Sequence, residues 1–139
     1  MIRPASRFFV DTGAWVALAV TPDTHHAAAA ATWAALLAKG CRPCTSVPVV
    51  LETFTWLQRG LGLEVAQAWK AALQTAPRLE ILDCTAADLA AAWPWLERRD
   101  LHKLGLVDAT SFVLMKRHKL RAAFAFDVHF ATAGFQVLG

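Results

Sequence analysis

The chain has 139 residues, of which 14 are Lys or Arg and 11 are Asp or Glu, giving a formal charge of +3. Hydrophobic residues make up 56% and charged residues 18%, so the chain can bury a core of its own, which excludes a need for disulfides or metals merely to fold. The basic excess favours a polyanionic partner, and the apolar excess suggests a protein partner.

Short apolar runs alternate with longer segments of helical periodicity. In chain order, the predicted elements are a strand at residues 7–10, a helix at 21–39, a strand at 43–45, helices at 46–59 and around 65–73, a strand at 79–82, helices from 85 to about 96 and at 107–118, a strand at 122–126, a helical turn at 129–133 and a strand at 135–138. No repeat, linker or boundary interrupts this series, so we expect one domain over residues 1–139.

Local signals define several helix ends. Ser46 is a predicted N-cap, and Gly60 and Gly62 are expected to break the chain after its helix. Thr85 to Asp88 resembles a capping box, and Pro94 should kink the helix that follows. That helix is expected to present one apolar face, formed by Leu89, Ala92, Trp93 and Leu96.

Strands separated by helices predict an α/β fold with a parallel sheet and helices on both faces. In such sheets, ligands bind beyond the carboxyl ends of the strands. Asp11-Thr12-Gly13 ends the first predicted strand and is also the signature of aspartic proteases. An aspartic protease requires an all-β body, however, and the helical periodicity excludes it.

Four carboxylates are isolated in apolar sequence. Asp11 follows Phe8 to Val10, and Glu52 is the only charge between Val47 and Leu57. Asp108 follows Leu104 to Val107, and Asp127 follows Ala122 to Phe126. A buried carboxylate is costly unless it is paired, hydrogen-bonded or bound to a metal, and these runs contain few basic residues.

Each acid also has an ordinary structural interpretation. Asp11 and Asp127 are compatible with turns that leave a strand, Asp108 with a helix N-cap, and Glu52 with a solvated helix face. Asp83 ends a strand as well, but it introduces the helix at Thr85, so we interpret it as a capping or turn residue.

If the four acids converge at one edge of the sheet, they will repel one another unless a divalent cation balances them. Oxygen ligands suit Mg²⁺ or Mn²⁺, which polarise a phosphoryl oxygen and activate water. Acids beside a mildly basic surface therefore indicate phosphodiester hydrolysis.

With these residues the sequence resembles the PIN domain family, particularly the VapC-like toxins of bacterial type II toxin–antitoxin pairs. The resemblance covers nearly the whole chain and depends on an ordered set of segments: Phe9-Val10-Asp11-Thr12, Val50-Leu51-Glu52, Leu106-Val107-Asp108-Ala109, Phe126-Asp127-Val128-His129-Phe130 and Gly134-Phe135. It implies a three-layer α/β/α sandwich around a five-stranded parallel sheet.

The resemblance also implies a function. A PIN domain of this kind is expected to be a Mg²⁺- or Mn²⁺-dependent endoribonuclease whose cognate antitoxin blocks the site. By position, Asp11, Glu52 and Asp108 match the three main catalytic, metal-binding acids, and Asp127 matches a fourth, more variable one. The apolar excess and six tryptophans are compatible with a homodimer or with the docking of an antitoxin helix. Tryptophan can equally belong to the core.

Polar neighbours of the acids have two interpretations each. The hydroxyls of Thr12, Thr110 and Ser111 can hold a carboxylate or a water, or can bond to nearby backbone. His26 and His129 are interpreted as structural or solvated. Basic residues flank Asp108 and can guide phosphates toward the acids or belong to a solvated helix end; they are Arg98, Arg99, His102 and Lys103 before it and Lys116, Arg117, Lys119 and Arg121 after it.

Cys41 and Cys44 have the spacing of a zinc or redox pair, but no second ligand pair follows and Cys84 is unpaired, so buried or incidental thiols are favoured. An odd cysteine count suits the cytoplasm. Asp11 interrupts the apolar stretch that otherwise resembles a secretory leader, and no run is long enough to cross a bilayer, so no membrane is expected.

Two other functions remain to be weighed. A PIN-like body without turnover would serve as an RNA- or protein-binding module. A receiver-like phosphoacceptor would need an acid pair at the first strand and a lysine after the last, and neither is present.

Overall fold

Five short strands form an all-parallel sheet in the order β3-β2-β1-β4-β5. The computed structural model describes residues 1–139, and its strands are β1 (Arg7–Val10), β2 (Arg42–Ser46), β3 (Glu80–Leu82), β4 (Ala122–Phe124) and β5 (Gln136–Leu138). The central strand is buried on both faces, since Phe8, Phe9 and Val10 have no exposed surface. The predicted α/β fold with a five-stranded parallel sheet is confirmed.

Seven helices and one 3₁₀ helix connect the strands. They are α1 (Thr12–Ala19), α2 (His26–Ala38), α3 (Val47–Leu61), α4 (Leu63–Thr75), α5 (Ala86–Ala92), the 3₁₀ helix (Trp93–Glu97), α6 (Leu106–Arg117) and α7 (His129–Thr132). The connections between parallel strands are right-handed. Because the chain moves outward from β1 to β3 and then crosses back to β4, α1 to α4 cover one face of the sheet and α5 to α7 cover the other. None of these helices combines the length and apolar character needed to cross a bilayer.

Aromatic clusters fill the space between the sheet and both helical layers. On one face, the Trp33 ring packs 5.6 Å from Trp15 and 6.1 Å from Phe8, measured between centroids. On the other, the Phe112 ring packs 5.0 Å from Phe130 and 5.7 Å from Phe135. Offset and edge-to-face rings of this kind stabilise a core beyond the area they bury.

The signals around α3 and α4 are mostly confirmed. The Ser46 side chain accepts a hydrogen bond from the Val49 amide at 3.3 Å, as an N-cap should. Gly62 adopts φ +104°, a left-handed conformation that separates α3 from α4. The break expected at Gly60 is wrong, because α3 continues to Leu61.

The region after β3 differs from its prediction. The capping box of Thr85 and Asp88 is confirmed, but Pro94 lies in the first turn of a tighter 3₁₀ helix that begins at Trp93, instead of kinking an α-helix. Of the expected apolar face only Ala92 is buried, and Leu89, Trp93 and Leu96 are 38%, 49% and 36% exposed. Trp95 packs on Phe112 instead, at 5.1 Å between ring centroids.

Two helices near the N-terminus depart from the prediction as well. Helix α1 was not expected, because its residues are apolar on every side and show no helical periodicity. Helix α2 begins at His26 and not at Thr21, since the Asp23 side chain accepts a hydrogen bond from the His25 amide at 2.8 Å and holds a turn there.

Candidate metal centre

Asp11 lies at the carboxyl end of the central strand, where it is the N-terminal residue bounding α1 and only 4% exposed. Its amide donates to the Phe124 carbonyl oxygen at 3.0 Å, which ties it to β4. The preceding carbonyl, that of Val10, accepts from the Thr45 hydroxyl at 3.0 Å, and Thr45 in turn accepts from the Trp15 indole N–H at 3.2 Å. Strand pairing and this buried chain of hydrogen bonds together fix the backbone that carries Asp11.

The other three acids come from elements that end or begin at the same edge. Glu52 lies in the second turn of α3 and is exposed, and Asp108 lies in the first turn of α6 and is partly buried. Asp127 follows β4 and is also partly buried; its Oδ1 accepts from the His129 amide at 2.8 Å. Because β1 and β4 are neighbours from which the crossovers diverge, their carboxyl ends form the crevice expected of a parallel sheet.

The electrostatics show that the four carboxyl groups converge. Burial raises the pKa of Asp11 to about 7, with Glu52 and Asp127 raising it further against the lowering effect of the Thr12 amide. Burial likewise raises the pKa of Asp108 to about 8, with additional contributions from Asp11, Asp127 and Glu52. Each acid thus acts on at least one other across a short distance. Asp83 contributes to neither shift and is exposed beyond the edge strand β3.

Several polar atoms at this site are buried and have no hydrogen-bond partner. They include Asp11 Oδ1 and the Thr12 hydroxyl. Leaving such atoms unpaired costs roughly 1–3 kcal/mol each, and more for a charged group. Carboxylate oxygens are hard ligands, so a hard divalent cation fits the donors that are present.

His129 is closer to the acids than its sequence interpretation implied. Ligand atoms of Asp108, Asp127 and His129 all lie within 4.8 Å of one another. The His129 Nε2 lies 2.8 Å from the His102 carbonyl oxygen, an acceptor, so Nε2 carries a proton. Its Nδ1 faces Asp127 Oδ1 at 2.9 Å. The two-residue spacing from Asp127 was the only sequence signal for this placement.

The remaining polar candidates are accounted for by local bonds. The hydroxyls of Thr110 and Ser111 both donate to the Val107 carbonyl oxygen, at 2.6 and 3.1 Å. His26 Nδ1 contacts the Ala17 carbonyl oxygen at 2.8 Å, which joins α2 to α1. The structure thus gives these three side chains local hydrogen bonds to the backbone.

The basic residues around Asp108 fall into two separate groups. The loop of residues 98–103 borders the acids through the contact between His102 and His129, and its Arg98 is bonded to Asp100 at 2.9 Å. Lys116 and Arg117 end α6 about 12 Å along the axis from Asp108. Arg117 pairs with Asp88 at 2.8 Å, and the Lys116 ammonium lies over the Trp95 ring. These contacts favour the interpretation of Lys116 and Arg117 as the charged end of a helix.

The cysteines form neither a zinc site nor a disulfide, since all three are free and no metal-binding group includes them. Burial, followed by the charge of Glu80, raises the pKa of the Cys44 thiol to about 12. A thiol this weakly acidic stays protonated and unreactive, which fits the interpretation of Cys44 as a buried thiol.

Residues 8–136 match the sequence profile of the PIN domain. The 23S rRNA-specific endonuclease VapC20 of Mycobacterium tuberculosis is 39% identical over 127 residues, which cover 91% of this chain and 94% of VapC20. The crystal structure of that VapC20, described as a sarcin-ricin loop cleaving toxin, matches with a TM-score of 0.83 and 37% identity over 95% of this chain and 99% of the other.

A more distant match concerns the fold alone. VapBC2 from Rickettsia felis, solved with a DNA fragment from its promoter, matches with a TM-score of 0.68 and 18% identity. The match covers 94% of this chain and 96% of the other.

Proposed function

This chain belongs to the PIN domain family, and on that premise we propose that it is a metal-dependent endoribonuclease, the toxin of a type II toxin–antitoxin pair. The observation that carries the proposal is the convergence of Asp11, Glu52, Asp108 and Asp127 at the crevice between β1 and β4. Carboxylates brought together in one partly buried site, with little positive charge to balance them, raise the free energy of the folded state. A cation bound among them is the group that best offsets this cost.

The four acids would hold Mg²⁺ or Mn²⁺, with His129 close enough to orient Asp127. When bound, such a cation polarises a phosphoryl oxygen and makes water a better nucleophile for in-line attack on the phosphodiester. Asp11 provides the most rigid ligand, because hydrogen bonds fix the backbone on both sides of it. Glu52 is the acid most open to solvent and thus faces the side from which RNA enters.

The substrate class that we propose is ribosomal RNA, because VapC20 is named for that substrate and aligns over nearly the whole chain. The loop of residues 98–103 supports a polyanionic ligand. Its Arg99 and Lys103 are exposed, have no carboxylate partner and lie on either side of His102, whose carbonyl oxygen contacts the site. These side chains would hold phosphates near the scissile bond.

The proposed protein partner is a cognate antitoxin in the cytoplasm. An apolar hollow of about 710 Å³ lies between α1, α2 and α4, lined by Trp15, Trp33 and Trp69 among other residues. Aromatic and aliphatic walls of this kind suit an apolar segment of another chain.

A homodimer is also part of the proposal. Large apolar side chains are exposed along α3 and at the start of α6; Val47, Leu51 and Trp56 are 39%, 64% and 50% exposed, and Leu106 is 37% exposed. Leu51 and Trp56 line a hollow of about 810 Å³ together with Glu52. Pairing across this surface would bury apolar area and bring a second subunit close to the acids.

The proposal is tested by incubating the purified protein, freed of antitoxin, with ribosomal RNA. We expect cleavage with Mg²⁺ or Mn²⁺ that stops when a chelator is added. Cleavage that continues in chelator contradicts a metal-dependent mechanism. The alternative, a PIN-like binding module without turnover, predicts RNA affinity with no cleavage under either condition.

A further inference from the structure

Cations accumulate at the edge of the sheet opposite the acids. Since the sheet is all-parallel, every strand begins at that edge. Six basic residues lie at or just before the starts of the first four strands, and we call them the basic edge: Arg3, Arg7, Arg42, Arg78, Lys119 and Arg121. The one acid there is Glu80, the first residue of β3.

The basic edge is concave and continuous. One hollow of about 540 Å³ is lined by Arg3, Arg7, Lys119 and Arg121. A second, of about 630 Å³, is lined by Arg7, Arg42 and Arg78 together with Glu80. Because Arg7 lines both, the two hollows form one basic surface that crosses the starts of β3, β2, β1 and β4.

Most of this positive charge has no partner within the chain. Arg7 is engaged, since it contacts Glu80 Oε1 at 3.3 Å and donates to the His118 carbonyl oxygen at 2.7 Å. The other five residues of the basic edge form no salt bridge and are exposed. Arg7 and Arg42 are register partners on adjacent strands, about 4.8 Å apart. Like charges side by side repel, and an anion would remove that repulsion.

The backbone supports the same assignment. Arg78 and Lys119 adopt φ +57° and +58°, in turns that lead directly toward β3 and β4. Residues other than glycine and asparagine occupy this region at a cost of about 1 kcal/mol or more. A glycine would make the same turns without that cost, so the charged side chain is what these two positions add.

We infer that the basic edge is a second RNA-binding surface, which holds the phosphates of a helical part of the substrate away from the cut. The choice of RNA as the ligand rests on the proposed ribonuclease function. Arg7 and Asp11 bound the same strand, about 13 Å apart at 3.3 Å per residue, so one folded RNA can contact both edges. Phosphate contacts of this kind add affinity and orientation without reading sequence.

The test compares two variants that lower the net charge equally, both made with Asp11→Asn so that RNA is bound but not cut. Arg42→Gln/Arg78→Gln removes two cations from the basic edge. Lys70→Gln/Gln67→Glu changes the charge by the same amount on the exposed surface of α4. The probes are a hairpin RNA with a long stem and its loop alone as a short single strand, with binding measured over a range of salt concentrations.

For the hairpin, we expect the edge variant to bind more weakly than the parent. The slope of log Kd against log salt concentration should fall by about 2, because two phosphate contacts are lost. The α4 variant should keep the slope of the parent, and the loop alone should bind all proteins equally. Equal slopes for the edge and α4 variants on the hairpin overturn the inference. The inference is also overturned if polyglutamate, at the same concentration of charge, displaces the hairpin from the parent protein but not from the edge variant. An acidic protein would then be the favoured ligand of the basic edge.

A cleavage arm separates this inference from the proposed function. With Asp11 intact, the edge variant should raise KM for the hairpin several-fold and leave kcat on the loop unchanged. If neither RNA is cut by any protein but the hairpin slope still falls, the ribonuclease proposal fails and the second surface stands. If cleavage and its KM are the same for the edge and α4 variants, the second surface fails and the ribonuclease proposal stands.

Discussion

Asp108 and Asp127 bring their carboxylate oxygens within 4.8 Å of each other, and Asp127 lies close enough to raise the pKa of Asp108 by a hydrogen bond as well as by its charge. Two carboxylates at that separation repel each other unless they share a proton or bind a cation. Asp108 begins α6 and Asp127 leaves β4, so the pairing is a product of the fold and not of local sequence.

A first prediction concerns stability in Mn²⁺ or Mg²⁺. A cation that binds the folded state alone should raise the free energy of unfolding by about 2.7 kcal/mol at one hundred times its Kd. The rise should be lost in Asp108→Asn and kept in Asp83→Asn, whose side chain is exposed and apart from the site. Thermal unfolding with and without the cation measures it, and an equal rise in Asp108→Asn would remove that residue from the ligands.

A second prediction concerns pH in the absence of divalent cations. The folded state raises the pKa of Asp11 to about 7 and of Asp108 to about 8, above the value of about 3.9 in an unfolded chain. The folded state therefore binds protons more tightly, and these groups stabilise it at low pH and lose that contribution as pH rises from about 4 to 8.

Asp108→Asn should accordingly be more stable than the parent at pH 8 and no more stable at pH 4. Urea unfolding of both proteins across this range, in chelator, gives the comparison. A difference between them that shrinks as pH rises would contradict the raised pKa values.

A third prediction concerns Glu52. Glu52→Gln keeps the size of the side chain but removes the charge that would help hold the cation, so we expect cleavage to fall at least about 100-fold. Because Glu52 is exposed, the melting temperature in chelator should not fall. Glu64→Gln, on the exposed start of α4, provides the control. A Glu52→Gln protein that cuts RNA at the parent rate would exclude Glu52 from the site.

A fourth prediction concerns the hydrogen bonds that support Asp11. Thr45→Val removes the donor to the Val10 carbonyl and leaves the Trp15 indole N–H without an acceptor, both in buried surroundings. The expected loss is about 1–3 kcal/mol in the free energy of unfolding. Thr75→Val, which removes an exposed bond within α4, should cost much less. Similar losses of unfolding free energy in the two variants would show that the buried hydrogen bonds of Thr45 stabilise the fold no more than an exposed bond does.

The central strands β1 and β4 could be predicted from the sequence because each is a short apolar run, and a parallel sheet buries such strands on both faces. The strand β2 has no apolar run, and its prediction depends on its place before the Ser46 cap. Burial also explains why the acids could be recognised. Asp11, Asp108 and Asp127 interrupt apolar runs at strand or helix ends, where a lone charge is hard to explain otherwise.

What could not be predicted depends on contacts between distant segments. Nothing near His129 in the sequence indicates that the His102 carbonyl would fix its ring beside Asp127. Lys119 and Arg121 closely follow α6, so the sequence alone groups them with Asp108. The length of α6 instead places them at the opposite edge of the sheet. The helical spacing of Trp93 predicts that it lies on a buried face. The 3₁₀ geometry that exposes it depends on tertiary packing.

The central claim is that Asp11, Glu52, Asp108 and Asp127 together form one site for divalent cations. Crystals grown with Mn²⁺, measured for anomalous scattering at the manganese edge, test it most directly. We expect a single strong peak, or a close pair, within ligand distance of Asp11 and Asp108 at the crevice between β1 and β4. A fully occupied manganese elsewhere on the protein, with no peak among these acids, would contradict the account.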